Sequence, residues 1–119
     1  MKKIFLITFS LFSVLAYCQE TNDKFQEYIK TFEYYFNNDS FEEIFESFSD
    51  EMKNDLPKDT AISFFNNLKK TSGKINKIEY DSSKDSFNIY KAYLDKKTYL
   101  FFISLDDTSK VDGIYFEQQ

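Results

Sequence analysis

The hydrophobic pattern of this chain changes its period at Gly73, and this change is the feature that most constrains the fold. Before Gly73, apolar residues recur every three or four positions, as on one face of an amphipathic helix. After it, apolar and polar residues alternate in short runs that are separated by turn-forming residues, which is typical of β-strands. Helices followed by closely spaced strands predict an α+β domain whose sheet is an antiparallel meander.

About three helices are predicted before Gly73. Ser40 and Glu43 match the S-x-x-E capping box at the start of the second helix. Pro57 suits the first turn of the third helix, where its missing N–H needs no partner, and Gly73 suits the end of that helix. The predicted apolar faces of the three helices are, in chain order, Phe25, Tyr28, Ile29, Phe32 and Phe36; Phe41, Ile44, Phe45, Phe48 and Met52; and Ala61, Phe64, Phe65 and Leu68.

Four strands are predicted after Gly73, the first around Ile78 and the others at residues 87–94, 99–105 and 111–117. The turns are expected at residues 81–85, 95–98 and 106–110, and Gly113 marks a bulge or a close backbone approach in the last strand. In the hairpin of the second and third strands we expect Leu94 to lie opposite Tyr99. The face that this register turns toward the helices carries Tyr90, Ala92, Leu94, Tyr99, Phe101, Ile103 and Leu105.

The opposite face of the same hairpin is also apolar, since it carries Ile89, Tyr93, Leu100 and Phe102. A sheet face that is exposed to water alternates toward polar residues, whereas contiguous apolar surface usually marks an interface. We therefore predict that this face contacts a second copy of the chain or another protein. The alternative is that the C-terminal tail or a loop folds over it.

Residues 1–18 have the features of an export signal. Two lysines precede an uncharged apolar run, Ile4 to Ala16, that is shorter than the roughly 20 residues of a membrane-spanning helix. Small residues at the −3 and −1 positions predict cleavage after Cys18, which gives a secreted or periplasmic protein without a transmembrane span. The alternative is a lipoprotein that is anchored through an acylated Cys18. In both cases residues 19–119 are predicted to form a single α+β domain.

The composition excludes several kinds of site. The chain has no histidine, which removes Ser-His-Asp catalysis and imidazole metal ligands, and its one cysteine lies in the predicted signal. Without Lys2 and Lys3, 13 lysines face 20 acidic residues, a net charge of −7, so nucleic acid is a poor partner. We predict no metal and no cofactor, and a protein that is not an enzyme. A small cavity enzyme that uses tyrosine, lysine and carboxylate groups is the alternative.

A pattern of packing residues between about Phe25 and Phe116 carries a family resemblance. Its segments are Ile44 to Lys53, Leu56-Pro57, Phe64-Phe65, Ser72 to Ile75, Ile103 to Asp106 and Lys110 to Ile114. In these residues the chain resembles an uncharacterised bacterial domain that often precedes serine hydrolases of the β-lactamase and penicillin-binding type. That domain looks like a member of the nuclear-transport-factor-2-like superfamily of cone-shaped, cystatin-like α+β folds. The resemblance implies a curved sheet wrapped around a long helix, an apolar pocket between them, and frequent dimers through the sheet.

The pattern and the resemblance together predict an exported, non-enzymatic binding or accessory domain. We expect a stand-alone version of a domain that is usually fused to serine hydrolases, so hydrolase activity is not carried over from the family. A small apolar ligand is expected in a pocket between the first helix and the sheet. The predicted lining of this pocket is Tyr28, Phe32, Tyr35, Tyr90, Tyr99 and Phe101. The alternative is that these residues only pack in the core. A rival hypothesis is an interaction subunit that docks on a separately encoded cell-wall or β-lactamase-type hydrolase.

Overall fold

A computed structural model of the protein describes residues 24–119. The predicted signal, residues 1–18, and the predicted cleavage site before Gln19 lie outside the described residues. The four helices are α1 (24–37), α2 (Phe41–Glu46), α3 (Asp50–Asp55) and α4 (Lys58–Ser72). The four strands are β1 (Ile75–Lys84), β2 (Phe87–Leu94), β3 (Thr98–Leu105) and β4 (Val111–Gln118). They pair antiparallel in chain order, which confirms the predicted α+β class and the meander.

Phe32 of α1 lies at the centre of the core. Its ring centroid is 4.8 Å from that of Phe101 in β3 and 6.1 Å from that of Phe116 in β4. On the helical side, its centroid is 5.9 Å from that of Phe65 in α4. Phe101 and Phe116 stack on each other with parallel rings 4.6 Å apart. The predicted apolar face of α1 is therefore confirmed, and its aromatic rings fill the space between the helices and the sheet.

The prediction of one continuous second helix is wrong, because the chain leaves the helix between Glu46 and Asp50. There the backbone pairs with the first residue of β4: the Ser49 N–H donates to the Val111 carbonyl, and the Val111 N–H donates to the Ser47 carbonyl, both at 2.8 Å. Phe48 is buried, as predicted, but it lies in extended backbone and not in a helix, and it forms an isolated parallel bridge with Val111. The edge of the sheet thus supplies hydrogen bonds that compete with a continued helix.

The predicted capping box at Ser40 does not form. Ser40 lies directly after a tight turn, in which Asp39 has a φ of 59°, and its own φ and ψ of −87° and 56° are not the extended conformation of a capping residue. Its side chain makes no capping hydrogen bond. Ser49 caps α3 instead, where its Oγ accepts the N–H of Met52 at 3.2 Å. Pro57 precedes α4 as its N-cap and does not lie in its first turn.

Gly73 ends α4, as predicted, and it also allows the β2–β3 turn to approach. Its φ of 89° lies in the region that favours glycine, and a Cβ on Gly73 would lie 2.5 Å from the Cβ of Asp95. The Asp95 carboxylate accepts the N–H of Lys74 at 3.1 Å, which holds the turn on this corner. Within α4, Phe64 is 42% exposed and does not belong to the buried face on which it was predicted.

The predicted register of the central hairpin is wrong by two residues. Tyr99 pairs with Ala92, not with Leu94, because β3 begins at Thr98 and pairs it with Tyr93. Side chains alternate with a period of two, so a shift of two residues leaves each of them on its predicted face. The inner-face residues are accordingly buried, with Leu105 partly buried. The first turn is shorter than predicted, since β1 continues to Lys84.

We expect Phe32→Ala to lower the free energy of unfolding by about 3–5 kcal/mol, because it removes the ring that packs α1 against α4 and against strands β3 and β4. Tyr34→Ala is the matched control on the same helix; Tyr34 is 65% exposed, so its change should stay within about 0.5 kcal/mol. Urea unfolding of both variants, followed by circular dichroism, measures the two values. Equal losses in the two variants would contradict the central role of Phe32.

Candidate functional site

Most of the residues predicted to line a pocket lie within the core. Phe32, Tyr90, Tyr99 and Phe101 are buried, and Tyr28 and Tyr35 pack partly buried against them. The two deepest hydroxyl contacts are internal: the Tyr99 hydroxyl lies 2.7 Å from Ser72 Oγ, and the Tyr28 hydroxyl lies 2.8 Å from Ser47 Oγ. Burial also raises the pKa of Tyr28 well above its ordinary value. These hydroxyl groups have partners within the protein and do not need a ligand.

A groove of about 500 Å³ does lie between α1 and the sheet, but at the open margin of β1. It is lined by Gln26, Ile29, Lys30 and Glu33 of α1, by Asn76, Lys77, Ile78 and Tyr80 of β1, and by Tyr90 of β2. Among these described residues, Tyr90 is the one that belongs to the predicted lining. The other predicted residues fill the interior beside the groove.

The aromatic wall of the groove is held by a chain of hydrogen bonds. The Tyr80 hydroxyl lies 2.6 Å from Ser83 Oγ, which donates to Asn88 Oδ1 at 3.0 Å. Asn88 Nδ2 in turn donates to the Tyr90 hydroxyl at 3.4 Å. Burial raises the pKa of Tyr90, although the bond from Asn88 acts in the opposite direction. Sequence reasoning missed Tyr80 and Asn88, since their grouping depends on the pairing of β1 with β2.

The charged groups of the groove are balanced. Lys77 borders the groove, but its Nζ lies on the outer face of the sheet, 3.1 Å from Glu79 Oε2, and this pair raises the pKa of the lysine and lowers that of the carboxyl. Lys30 and Glu33 lie three residues apart on α1 and so project from neighbouring positions of one helix face. A ligand in this groove therefore meets both signs of charge.

The outer face of the sheet carries a second candidate surface, which we call the outer strip. It consists of Phe87, Ile89, Leu100, Phe102 and Tyr115. Ile89 pairs with Phe102, and the ring of Phe102 stacks on that of Tyr115 with their centroids 4.3 Å apart. Tyr115 is 50% exposed, Phe87, Leu100 and Phe102 are partly exposed, and Ile89 is buried. Three of the four predicted interface residues thus lie side by side across the central strands.

Tyr93, the fourth predicted interface residue, lies at the polar end of the same face. Its hydroxyl donates to Glu79 Oε1 at 2.9 Å, and Lys77 Nζ lies 5.9 Å from the centre of its ring. The bond to Glu79 raises the pKa of Tyr93. Tyr93 therefore belongs to a small charged network and not to the outer strip.

Gly113 combines the two roles that the sequence left open for it. A register shift lies next to it, between the pairs Ser104–Gly113 and Leu105–Val111. The ring of Phe87 also lies against it, since a Cβ on Gly113 would be 2.9 Å from Phe87 Cζ. Ser104 of β3, which pairs with Gly113, is buried. Gly113 thus lets the ring of Phe87 lie close to the sheet, and this ring extends the apolar surface of the outer face.

Opposite charges flank the outer strip on its two sides. Leu100 of β3 pairs with Lys91 of β2 and with Glu117 of β4, so a basic and an acidic side chain lie on either side of one leucine. Within residues 24–119, no three cysteine, aspartate or glutamate side chains gather closely enough to hold a metal ion. Nor does any helix of that part of the chain combine the length and the apolar character required to cross a bilayer.

A family model described as a protein of unknown function (DUF3887) matches residues 30–114. No curated protein and no solved structure matches the chain.

We expect Tyr99→Phe to lower the free energy of unfolding by about 1–3 kcal/mol, because it leaves the buried Ser72 hydroxyl with only a long contact of 3.5 Å to Thr71 Oγ1. Ser72→Ala removes that orphaned group, so the double variant should lose less than the sum of the single variants, with a coupling of about 1 kcal/mol. Chemical denaturation of the three variants measures this coupling. Additive losses would show that the two hydroxyls are not bonded to each other.

Proposed function

The chain belongs to the DUF3887 family of proteins of unknown function, and we propose that it is an exported, non-enzymatic binding domain that acts through the outer face of its sheet. The observation that carries this proposal is the outer strip. An antiparallel sheet with one face in water normally places polar residues there, and a row of aromatic and aliphatic side chains in their place favours a protein contact. Phe102 and Tyr115, stacked at its centre, are the residues on which we expect binding to depend.

The ionisable groups favour binding over catalysis. In the groove, burial raises the pKa of the Tyr90 phenol, and on the outer face the pair with Glu79 raises the pKa of Lys77. Neither group can then accept a proton as a general base near pH 7. The hydroxyls of Tyr28 and Tyr99 are engaged by serines inside the core. These observations support a binding domain over the alternative of a small cavity enzyme.

The occupant that the outer face favours is a second copy of the chain. If a two-fold axis runs along β3, between two sheets packed face to face, each β2 lies over the β4 of the other copy. Leu100 and Phe102 then meet their own counterparts. Lys91 of one copy faces Glu117 of the other, and this contact occurs twice. The face is therefore complementary to itself, since apolar residues meet apolar residues and opposite charges meet each other.

The dimer predicts an outcome for charge-swapped variants. Lys91→Glu places like charges opposite each other in both of the contacts between residues 91 and 117, so self-association should weaken at least about tenfold. Adding Glu117→Lys restores opposite charges and should recover most of the affinity. Phe102→Lys should give a monomer, and Tyr34→Lys, on the exposed side of α1, should leave the dimer unchanged. Analytical ultracentrifugation of residues 19–119 measures each dissociation constant.

Two outcomes of this experiment would contradict the dimer. The first is a monomer at all concentrations up to about 1 mM, since a dimer weaker than that gains only about 4 kcal/mol. The second is a dimer that survives Phe102→Lys, because the contact must then lie elsewhere. Failure of the double charge swap to recover affinity would exclude the proposed axis along β3.

A second candidate function is docking on a separately encoded serine hydrolase. It rests on the resemblance to domains that precede such hydrolases, and on an outer strip that would serve a different partner equally well. The nuclear-transport-factor-2-like cone is proposed on the same basis, with α1 lying across the inner face of a four-stranded meander in support. A chain that is monomeric alone but binds a hydrolase encoded beside it would favour this candidate.

Export rests on residues 1–18, whose two lysines, apolar run and small residues before Gln19 match a cleaved signal. We expect mass spectrometry of the protein from a bacterial host to find Gln19 as its first residue. Cys18→Ser should then leave the protein soluble and outside the cytoplasm, because Cys18 is discarded with the signal. An acylated Cys18 at the N-terminus, together with release from the membrane by Cys18→Ser, would establish the lipoprotein alternative.

A further inference from the structure

The groove between α1 and β1 is not used by the proposed sheet contact, and it holds an aromatic ring in a fixed position. Tyr80 is 51% exposed, yet its ring packs edge to face against Tyr90, with centroids 5.8 Å apart and planes at 77°. Its hydroxyl is bonded to Ser83, which is bonded in turn to Asn88. A half-exposed tyrosine that is held at both ends loses little freedom when a ligand stacks on it, and such preorganisation favours binding.

The polar groups around this ring can both donate and accept hydrogen bonds. Gln26 on α1 and Asn76 on β1 contribute an amide to each wall of the groove, and Glu33 contributes a carboxylate acceptor. Asn76 Nδ2 donates to Asp95 Oδ1 at 2.9 Å, which fixes the plane of that amide. Hydroxyl groups also donate and accept, so a ligand with several hydroxyls matches such a lining.

The charges of the groove argue against an ionic ligand. An anion attracted by Lys30 would also be repelled by Glu33, and a cation attracted by Glu33 would also be repelled by Lys30. The Nζ of Lys77 is paired with Glu79 on the outer face of the sheet. A neutral ligand loses less hydration energy on entering such a groove than an ion does, because no single charge must be compensated there.

The edge of β1 argues against an added peptide strand. Register shifts interrupt its pairing with β2 twice, between Ile75 and Lys77 and between Tyr80 and Ser82. Such bulges twist an edge strand and leave few consecutive residues with which another strand could pair. The regular segment between the two shifts is only Lys77 to Tyr80. A compact ligand inside the groove suits this geometry better than an extended one along its edge.

We propose that this groove binds a neutral saccharide. One sugar ring stacks through its C–H face on Tyr80, since the face of an aromatic ring is electron-rich. The sugar hydroxyls bond to Glu33 on one wall and to Asn76 on the other. The volume of about 500 Å³ lies within the usual range of small-ligand sites. The proposal does not depend on the dimer, because Tyr80 and the outer strip lie on opposite faces of the sheet.

Titration of residues 19–119 with cellohexaose, maltohexaose and tetra-N-acetylchitotetraose tests this site. We expect at least one of them to bind with a Kd below about 1 mM and to shift the amide resonances of Tyr80 and Tyr90. Tyr80→Ala should weaken that binding at least about tenfold, and Tyr80→Phe, which keeps the ring, by less than about threefold. Tyr34→Ala is the control, an exposed tyrosine of α1 outside the groove, and should bind normally.

Glu33→Gln keeps the proposal testable if Tyr80→Ala does not fold. Glutamine keeps the shape of the side chain but is a weaker hydrogen-bond acceptor than the Glu33 carboxylate. We therefore expect the affinity for the saccharide to fall about threefold or more. The proposal fails if none of the three oligosaccharides shifts a resonance at 10 mM, or if the shifts lie only on the outer strip. It also fails if inorganic phosphate or a Thr-Val decapeptide shifts the groove resonances when the saccharides do not.

Discussion

The packing of Phe32 against the Phe101–Phe116 stack is the interaction on which the rest of the structure depends. It brings one ring from α1 into contact with strands β3 and β4, and Phe65 of α4 packs against the same ring. The described part of the chain has no cysteine and therefore no disulfide, so buried aromatic surface must supply the cohesion that many small domains obtain from cross-links. Because these rings fill the interior, both candidate binding sites lie at the surface.

The two surfaces differ in their chemistry, since they lie on opposite faces of one sheet. The outer strip is apolar and flanked by Lys91 and Glu117, which suits a large, flat protein contact. The groove is small, mixed in polarity and built around Tyr80, which suits a compact ligand. Side-chain alternation along the strands lets both surfaces arise from the same few strands, since successive residues point to opposite faces.

Hydrogen bonds between distant segments connect the helices to the sheet. Ser47 and Ser49 bond to the backbone of Val111, and Asn37 bonds through both atoms of its amide to the backbone of Ile75, at 2.8 and 2.9 Å. Lys69 adds a bond to the carbonyl of Asn37 at 2.8 Å. The Asn37 bonds attach the C-terminal end of α1 to the first residue of β1, next to Asn76 of the groove.

The sequence by itself determined the class of fold, the meander and the face on which each side chain of the hairpin lies, because the hydrophobic period depends only on local backbone geometry. It could not determine the hairpin register, since a shift of two residues keeps the same faces. The break at Phe48, the exposure of Phe64 and the grouping of Tyr80 with Asn88 were decided by tertiary structure alone. The break at Phe48 depends on Val111, far away in the chain, and the grouping of Tyr80 with Asn88 depends on the register of β1 against β2; the local pattern carries no information about either.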